Sequence, residues 1–205
     1  MTPISLIWPI GVFALFLLWY GGRTRPLAES ETQRFLDLMI SQGIDRNDPE
    51  LFESLKRLLS RDDGREFVMV NLIRYREKAA YPPGSPYGDN AIEADRRYAR
   101  AFFPYLIRYG NIPIFISRRS GWFIEPRNAE PWQVVAMIRY RSRRDFIRSV
   151  TAVVDKNVMV HKWAAIETTH VFPVKPLFSF IAVRWAVAVM TALLASAFYQ
   201  FALGA

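Results

Sequence analysis

The chain has 205 residues but no cysteine, and only two histidines, His161 and His170. The lack of cysteine excludes disulfides, thiolate zinc sites, iron–sulfur clusters and thiol nucleophiles. Two histidines are too few for a metal centre built from several imidazoles. The sequence also lacks a phosphate-binding glycine loop, a suggestive carboxylate pair and a nucleophile triad. We therefore expect no cofactor and no metal, and the sequence favours a protein without catalytic activity.

Charge is missing from both ends of the chain. All 46 charged residues lie between Arg23 and Arg184. The uncharged run Pro3–Tyr20 would be about 27 Å long as a helix, close to the roughly 30 Å core of a bilayer. A second uncharged run of 21 residues follows Arg184. These runs predict a transmembrane helix over 1–22, either spanning or interfacial, and another over 175–205.

The basic residues beside these runs predict an orientation. Arg23 and Arg25 follow the first run, and Lys175 precedes the second. Because basic flanks remain on the cytoplasmic side, the pattern predicts a protein of the bacterial inner (plasma) membrane with two spans. The central domain would be cytoplasmic, and both termini would lie on the outer side.

Residues 23–65 predict an amphipathic helical collar between the first run and the rest of the chain. Ser30 and Gln33 have the spacing of a capping box at the start of a first helix. Asp48 is a typical N-cap for a second helix, with Pro49 in its first turn. Apolar residues recur at helical spacing in both segments, which is typical of helices with one buried face.

The tetrapeptide IRYR occurs twice, at Ile73–Arg76 and at Ile138–Arg141. Each copy ends an apolar segment that alternates like a strand. A predicted helix and a further strand follow each copy, so residues 66–174 predict the order βαββαβ. This order is typical of an α+β fold of the ferredoxin-like type, in which the first and third strands are neighbours at the centre of an antiparallel sheet.

The first predicted strand is apolar on both faces. Its alternating residues are Val68, Val70 and Leu72 on one face and Phe67, Met69 and Ile73 on the other. Helices cover only one face of a ferredoxin-like sheet, so the other face would expose apolar side chains to water. We expect another polypeptide to cover that face.

Several segments between Glu66 and Val174 follow the order found in a known family. They are VMVNLIRYRE, AAY, a tryptophan followed by VAMIRYRSRRDF, and HKWAAIE. In these segments the chain resembles the domain-of-unknown-function 1330 family of the dimeric α+β barrel superfamily. The resemblance implies a ferredoxin-like fold whose open sheet face packs on a second copy to form a barrel. It implies no particular reaction, since the family has none established.

The wider superfamily includes monooxygenases and isomerases, and this implies an alternative function. A barrel pocket would then act on an apolar, membrane-derived substrate, with Asn71, Arg139 and His161 as candidate residues. Asn71 is a polar residue within an apolar strand, where a buried amide is either hydrogen-bonded structurally or used. His161 could act as a general base or as a structural hydrogen-bonding residue.

The central segment divides into an acidic part and a basic part. Glu29 to Asp95 contain 14 acidic and 9 basic residues, whereas Arg96 to Arg148 contain 12 arginines and 3 acidic residues. No nucleic-acid-binding motif accompanies these arginines, so we expect no nucleic acid partner. We interpret them as contacts for membrane lipids or for the acidic part of a second chain. The predicted interaction residues are Arg96, Arg97, Arg100, Arg118, Arg119, Arg143 and Arg144.

These features together favour a membrane-anchored interaction or structural protein. Its ferredoxin-like domain would self-associate as a homodimer or act as an accessory subunit of a larger membrane protein complex. The small-molecule enzyme is the alternative hypothesis.

Overall fold

A computed structural model describes residues 4–21, 25–124, 126–177 and 183–204. The chain forms two compact units, one made of Met1–Gly22 with Pro176–Ala205 and the other of Arg23–Lys175. The helices and strands are, in chain order, α1 (Ile4–Tyr20), α2 (Glu29–Ser41), α3 (Ile44–Asn47), α4 (Pro49–Ser60), β1 (Phe67–Tyr75), α5 (Ala91–Arg108), β2 (Ile112–Arg118), β3 (Val134–Tyr140), α6 (Arg143–Val154), α7 (Met159–Ala165), β4 (Ile166–Val174) and α8 (Val183–Gly204).

The two terminal helices, α1 and α8, form the first unit. The Trp8 ring of α1 meets the Phe198 ring of α8 edge to face, with 5.9 Å between the ring centroids. Within α1, Phe16 stacks on Tyr20 at 5.1 Å. Pro9 lies inside α1 without ending the helix. Aromatic pairs of this kind stabilise beyond the area that they bury, so they contribute to the packing of this unit.

The predicted transmembrane helices over 1–22 and 175–205 are wrong. Among the residues that the structure describes, none of the helices has both the length and the apolar character needed to cross a membrane. With 17 residues, α1 is about 25 Å long, which is shorter than the roughly 30 Å hydrocarbon core. The longer helix α8 includes Arg184 and Gln200 in its sequence. The predicted inner-membrane location, with a cytoplasmic central domain, is overturned by the same finding.

Four antiparallel strands form the sheet of the second unit, in the order β2-β3-β1-β4. β1 and β3 are neighbours at its centre, with Met69 opposite Ile138 and Asn71 opposite Ala136. The predicted α+β class is therefore confirmed, as is the prediction that the two IRYR segments end adjacent central strands. Pro113 lies on the edge strand β2, where a missing amide donor is tolerated.

The helices α5 and α6 pack on one face of this sheet. Phe67 and Met69 of β1 form a core with Phe102 and Leu106 of α5 and with Val153 of α6. Burial of one such side chain contributes about 1.5–3 kcal/mol relative to its exposure to water. Because side chains alternate along a strand, the odd-numbered residues of β1 face the helices and the even-numbered residues face away from them.

The segment predicted as a collar forms α2, α3 and α4, and this segment packs on the outer side of α6. Phe35 and Met39 of α2 form a second core with Leu59 of α4. Ile147 and Val150 of α6 pack against that core. α6 therefore lies between the sheet and the collar and contributes apolar residues to both sides.

Two predictions about helix ends are wrong. The predicted Ser30–Gln33 capping box does not form, because α2 begins at Glu29, two residues earlier than a Ser30 cap implies. The N-cap is Ala28, whose amide donates a 2.9 Å hydrogen bond to the carboxylate of Glu31. Residues 164–165, predicted as the start of the last strand, instead end the short helix α7. The cap predicted at Asp48 is confirmed, since its carboxylate accepts from the amide of Leu51 at 3.0 Å.

The helix α5 continues through Pro104, where the sequence predicts an interruption or a bend. A proline inside a helix removes one backbone hydrogen bond and disfavours the preceding turn. In α5 the buried side chains of Phe102 and Leu106 anchor the helix on both sides of the proline. Packing against the sheet therefore overrides the local preference.

Ion pairs join the basic helix α6 to the acidic collar. The Arg144 guanidinium donates to both carboxylate oxygens of Glu31 at 2.8 Å, and also to two backbone carbonyl oxygens just before α2. Arg143 lies 3.3 Å from the carboxylate of Asp62. Both arginines are buried. These residues of the basic part of the chain thus pair with acidic residues of the same chain.

A buried polar network fixes the start of α6 next to the start of β2. The Asn111 amide nitrogen donates to the carbonyl of Asp145 at 3.1 Å and to the hydroxyl of Ser149 at 3.3 Å. Its amide oxygen accepts from the backbone of Arg141 at 3.0 Å. Ser142 caps α6 by accepting from the amide of Asp145 at 3.1 Å. Each polar group in the network has a partner, as burial requires.

The variant Arg144→Ala should lower the free energy of unfolding by about 1–3 kcal/mol, because the hydrogen bonds that tie α6 to the collar would be lost. Urea unfolding of the full chain measures the change. The matched control is Arg100→Ala, which removes an arginine whose side chain is 77% exposed and should change the stability by less than about 0.5 kcal/mol. Equal effects of the two variants would contradict a structural role for the Arg144 pair.

Stability should also fall with acidification through Glu31. Hydrogen bonding from Arg144, helped by the amide of Ala28, lowers the pKa of Glu31 to about 2. A carboxyl with a depressed folded pKa stabilises the protein above its unfolded pKa, near 4.3, and loses that contribution as pH falls towards the folded value. Between pH 5 and pH 2, Glu31→Gln should therefore lose less stability than the wild type in urea titrations, and an identical loss in both proteins would contradict this role of Glu31.

Candidate functional site

The sheet face that points away from α5 and α6 carries apolar side chains from all four strands, and we call it the open face. In the strand register, Val70 of β1 lies between Met137 of β3 and Phe172 of β4. Phe115 of the edge strand β2 is opposite Met137 and is 42% exposed. The apolar residues of the open face are Val68, Val70, Leu72, Ile112, Phe115, Val135, Met137, Phe172 and Val174. The packed cores of the Arg23–Lys175 unit described above are on the other face or beyond it.

Two arginines lie at opposite ends of the open face, and each is engaged within the chain. The Arg74 guanidinium lies 3.1 Å from Glu167 and 3.2 Å from Glu130. The Nε of Arg139 donates to the carboxylate of Glu66 at 2.9 Å. The same guanidinium also donates to a backbone carbonyl at 2.9 Å. The charges of the two arginines on this face are therefore compensated by neighbouring carboxylates.

The candidate Asn71 lies on the helix side of the sheet and uses its amide for the backbone. Its Nδ2 donates to the carbonyls of Met69 at 3.1 Å and Ala136 at 3.3 Å. Both acceptors belong to the central strands β1 and β3. This is the structural alternative that the sequence left open.

The candidate Arg139 is opposite Val68 in the strand register and so lies on the open face, away from Asn71. Its side chain is almost fully buried, and it pairs with the carboxylate of Glu66. Asn71 and Arg139 are therefore on opposite faces of the sheet and do not form one site.

The candidate His161 lies on α7, among aromatic side chains of the loop before α5. Its Nδ1 is 2.9 Å from the hydroxyl of Tyr81, and its ring centroid is 4.7 Å from that of Tyr87. The Arg97 guanidinium lies over the Tyr87 ring at 5.2 Å. Burial lowers the pKa of His161, and the charge of Arg97 lowers it further. The imidazole thus loses its proton more readily than a free histidine does, and it lies in an aromatic cluster away from Asn71 and Arg139.

The predicted interaction arginines separate into three groups. Arg143 and Arg144 are buried against the collar, as described above. On α5, Arg96, Arg97 and Arg100 lie within 3.6–4.0 Å of the Glu93 carboxylate. Arg96 and Arg100 are exposed, whereas Arg97 is partly buried. The third group is Arg118 and Arg119, at the end of β2.

Arg118 and Arg119 line an open groove of about 880 Å³ at the end of the sheet where β1 finishes and β3 begins. We call it the sheet-end groove. Its lining residues come from the segments 75–78, 89–92, 118–122 and 131–134. The first turn of α5 forms part of its wall. Asn90 caps this helix, since its side chain accepts a hydrogen bond from the amide of Glu93 at 2.9 Å. The groove therefore joins two strand ends, a loop and a helix start.

Tyr75 forms part of the groove wall, and a hydrogen bond holds its side chain in place. Its hydroxyl donates to the carboxylate of Asp95 at 2.7 Å, and its backbone amide donates to the side chain of Gln133 at 2.8 Å. Burial, together with the hydrogen bond to Asp95, raises the pKa of Tyr75, while the charges of Arg118 and Arg96 oppose the rise. The phenol therefore stays neutral and keeps its donor role.

The remaining aromatic residues of the groove are Trp122 and Trp132. Trp122 is 69% exposed, and the Arg119 guanidinium stacks on its ring at 3.3 Å from the centroid. The sequence indicates neither tryptophan as part of a site, because they are separated from Tyr75 by more than 40 residues. Only the fold brings these rings to one end of the sheet.

Comparisons with known proteins place the fold but not an activity. No protein-family model matches the chain, and no curated protein matches it. It is similar to the crystal structure of RPA0582, a protein of unknown function from Rhodopseudomonas palustris, with 27% identity and a TM-score of 0.56. The similarity covers 62% of this chain and 94% of that one. The crystal structure of methylated RPA0582 matches with the same identity and TM-score, over 93% of its length.

The variant Arg97→Gln should raise the pKa of His161, because it removes the positive charge that opposes protonation of the imidazole. The titration of the His161 ring protons by NMR measures the change. Arg100→Gln is the control, since this arginine points into water one helical turn further on. An unchanged pKa in Arg97→Gln would show that burial alone sets the titration of His161.

Proposed function

We propose that this chain is a non-catalytic interaction protein whose sheet domain self-associates through the open face. The domain would be of the ferredoxin-like, dimeric α+β barrel type, as the resemblance to the domain-of-unknown-function 1330 family implies. The observation that carries the proposal is an apolar sheet face, contributed by all four strands, that lies away from the helices α5 and α6. The strand order β2-β3-β1-β4 supports the fold assignment.

Hydrophobic burial favours a covering layer on the open face. Apolar surface removed from water contributes about 25 cal/mol per Å², so a contiguous apolar face stabilises any complex that buries it. Met137, Phe115 and Phe172 keep part of their surface accessible in the single chain. Their burial against a second sheet would supply the driving force for association.

The charge distribution favours a second copy as the partner. In a two-fold symmetric contact the same patch meets itself, so an uncompensated charge near its centre would face an identical charge. Arg74 and Arg139 lie at the two ends of the open face, and carboxylates of the same chain compensate both. Between them the face carries apolar and neutral polar side chains together with His170. Two copies can therefore approach without strong repulsion.

The positions of the catalytic candidates support an interaction role over the enzyme hypothesis. Asn71 and Arg139 lie on opposite faces of the sheet, and both are engaged in structural hydrogen bonds. His161 contacts the tyrosines of the loop before α5. Acid–base catalysis requires such groups to reach one substrate atom together, which this arrangement does not allow.

The variant Met137→Glu should weaken self-association at least roughly 100-fold, because it places a carboxylate near its own symmetry mate within an apolar contact. Analytical ultracentrifugation of the full chain over a concentration series measures the dissociation constant. Phe103→Glu is the matched control, since it makes the same type of change on the outer side of α5, where Phe103 is 49% exposed.

A cysteine-free chain allows a second, direct test of the covered face. The variant Met137→Cys would carry a single thiol, and a maleimide should label it more slowly above the dissociation constant than below it. The thiol of Phe103→Cys should be labelled at the same rate at both concentrations. A monomeric wild-type chain, or equal labelling of Met137→Cys at both concentrations, would contradict the proposal.

A further inference from the structure

The sheet-end groove has an excess of positive charge. Its basic side chains are Arg76, Lys78, Arg118 and Arg119, and its carboxylates are Glu77 and Asp89. Lys78 lies 3.7 Å from Asp89, so this pair is compensated locally. Within the described parts of the chain, no carboxylate lies at ion-pair distance from Arg76 or Arg118. Two guanidinium groups therefore remain available to an anion from solution.

The groove also offers flat aromatic surface. The Trp122 ring is mostly exposed, and one of its faces carries the Arg119 guanidinium. Trp132 and Tyr75 belong to the same lining. Because Tyr75 is held by its hydrogen bond to Asp95, this ring keeps a fixed orientation. Exposed indole rings in a concave site offer a large apolar surface on which a planar ligand can pack.

The start of α5 adds to the positive potential. The first-turn amides of a helix have no acceptors within the helix, and the N-terminal end of the helix dipole is positive. Ala91 and Ile92 of that first turn line the groove. They reinforce the field of the guanidinium groups, which themselves provide the specific hydrogen-bond donors.

We propose that the sheet-end groove binds a small organic anion with a planar aromatic body, its carboxylate held by Arg118 and Arg76 and its ring packed on Trp122. The planar guanidinium group donates two parallel hydrogen bonds to a carboxylate, which gives orientation as well as affinity. The groove volume of about 880 Å³ accommodates one such molecule. The proposal is independent of self-association, because none of the open-face side chains lines the groove.

Binding of three probes to the full chain tests the proposal by isothermal titration calorimetry. The probe 2-naphthoate combines the aromatic body with a carboxylate, 2-naphthylmethanol has the same ring without charge, and inorganic phosphate has charge without a ring. We expect 2-naphthoate to bind and the other two probes to bind more weakly or not at all. Binding of the neutral alcohol as tightly as the carboxylate would overturn the role of the arginines.

Two substitutions assign the binding to this groove. Arg118→Gln should weaken 2-naphthoate binding roughly 10- to 100-fold, because it removes charged hydrogen bonds to the carboxylate. Trp122→Ala should weaken it as well, through loss of the packed ring. Both residues are exposed, and thermal unfolding confirms that the variants are folded. Arg100→Gln, an exposed arginine outside the groove, should bind like the wild type.

The binding results distinguish a site in the groove from binding elsewhere. Weakening by both groove variants, with Arg100→Gln unchanged, supports the site. No binding of 2-naphthoate at millimolar concentration, or equal binding by the wild type and by folded Arg118→Gln and Trp122→Ala variants, overturns it. None of these results depends on the oligomeric state, which ultracentrifugation measures separately.

Discussion

The four-stranded sheet carries apolar side chains on both of its faces, and each face needs a covering layer. One face is covered within the chain, where Phe67 and Met69 pack under α5 and α6. The helix α6 then needs cover on its own outer side, and the collar helices α2 and α4 provide it. Each layer of the Arg23–Lys175 unit thus exists because the previous one leaves apolar surface exposed. The open face is where this succession stops within the unit, and the proposed second copy would continue it.

The arginines of the Arg23–Lys175 unit have two kinds of environment. The ion pair of Arg144 with Glu31 joins the collar to α6 beside the apolar contact between them. Partly buried pairs of this kind contribute modest stability but impose a definite orientation. At the end of the sheet the pattern changes, since Arg76 and Arg118 line a groove and, within the described residues, neither lies at ion-pair distance from a carboxylate. The arginines therefore have two roles. Those of α6 pair with carboxylates of the collar, and those of the sheet-end groove provide exposed positive charge.

The fold could be predicted from the sequence where the signals are local. Strand alternation, the Asp48 cap and the repeated tetrapeptide lie within a few residues and report directly on backbone geometry. The sequence does not predict the short helix α7. Its seven residues lie directly before a strand and are too few to show a helical periodicity. A polar residue in an apolar strand, such as Asn71, signals that a partner exists but not which one. The sheet-end groove could not be predicted, because four distant segments meet only after folding.

The duplicated tetrapeptide acquires two different chemical environments because its strands run antiparallel. In the second copy, Tyr140 is stacked on Phe67 in the core, and Arg141 neighbours the network of Asn111. In the first copy, Tyr75 and Arg76 line the sheet-end groove at the opposite end of the sheet. Identical residues in the two copies therefore have different energetic roles. A truncation of Tyr140 leaves a cavity in the core, whereas Arg76 is exposed and its replacement leaves that core intact.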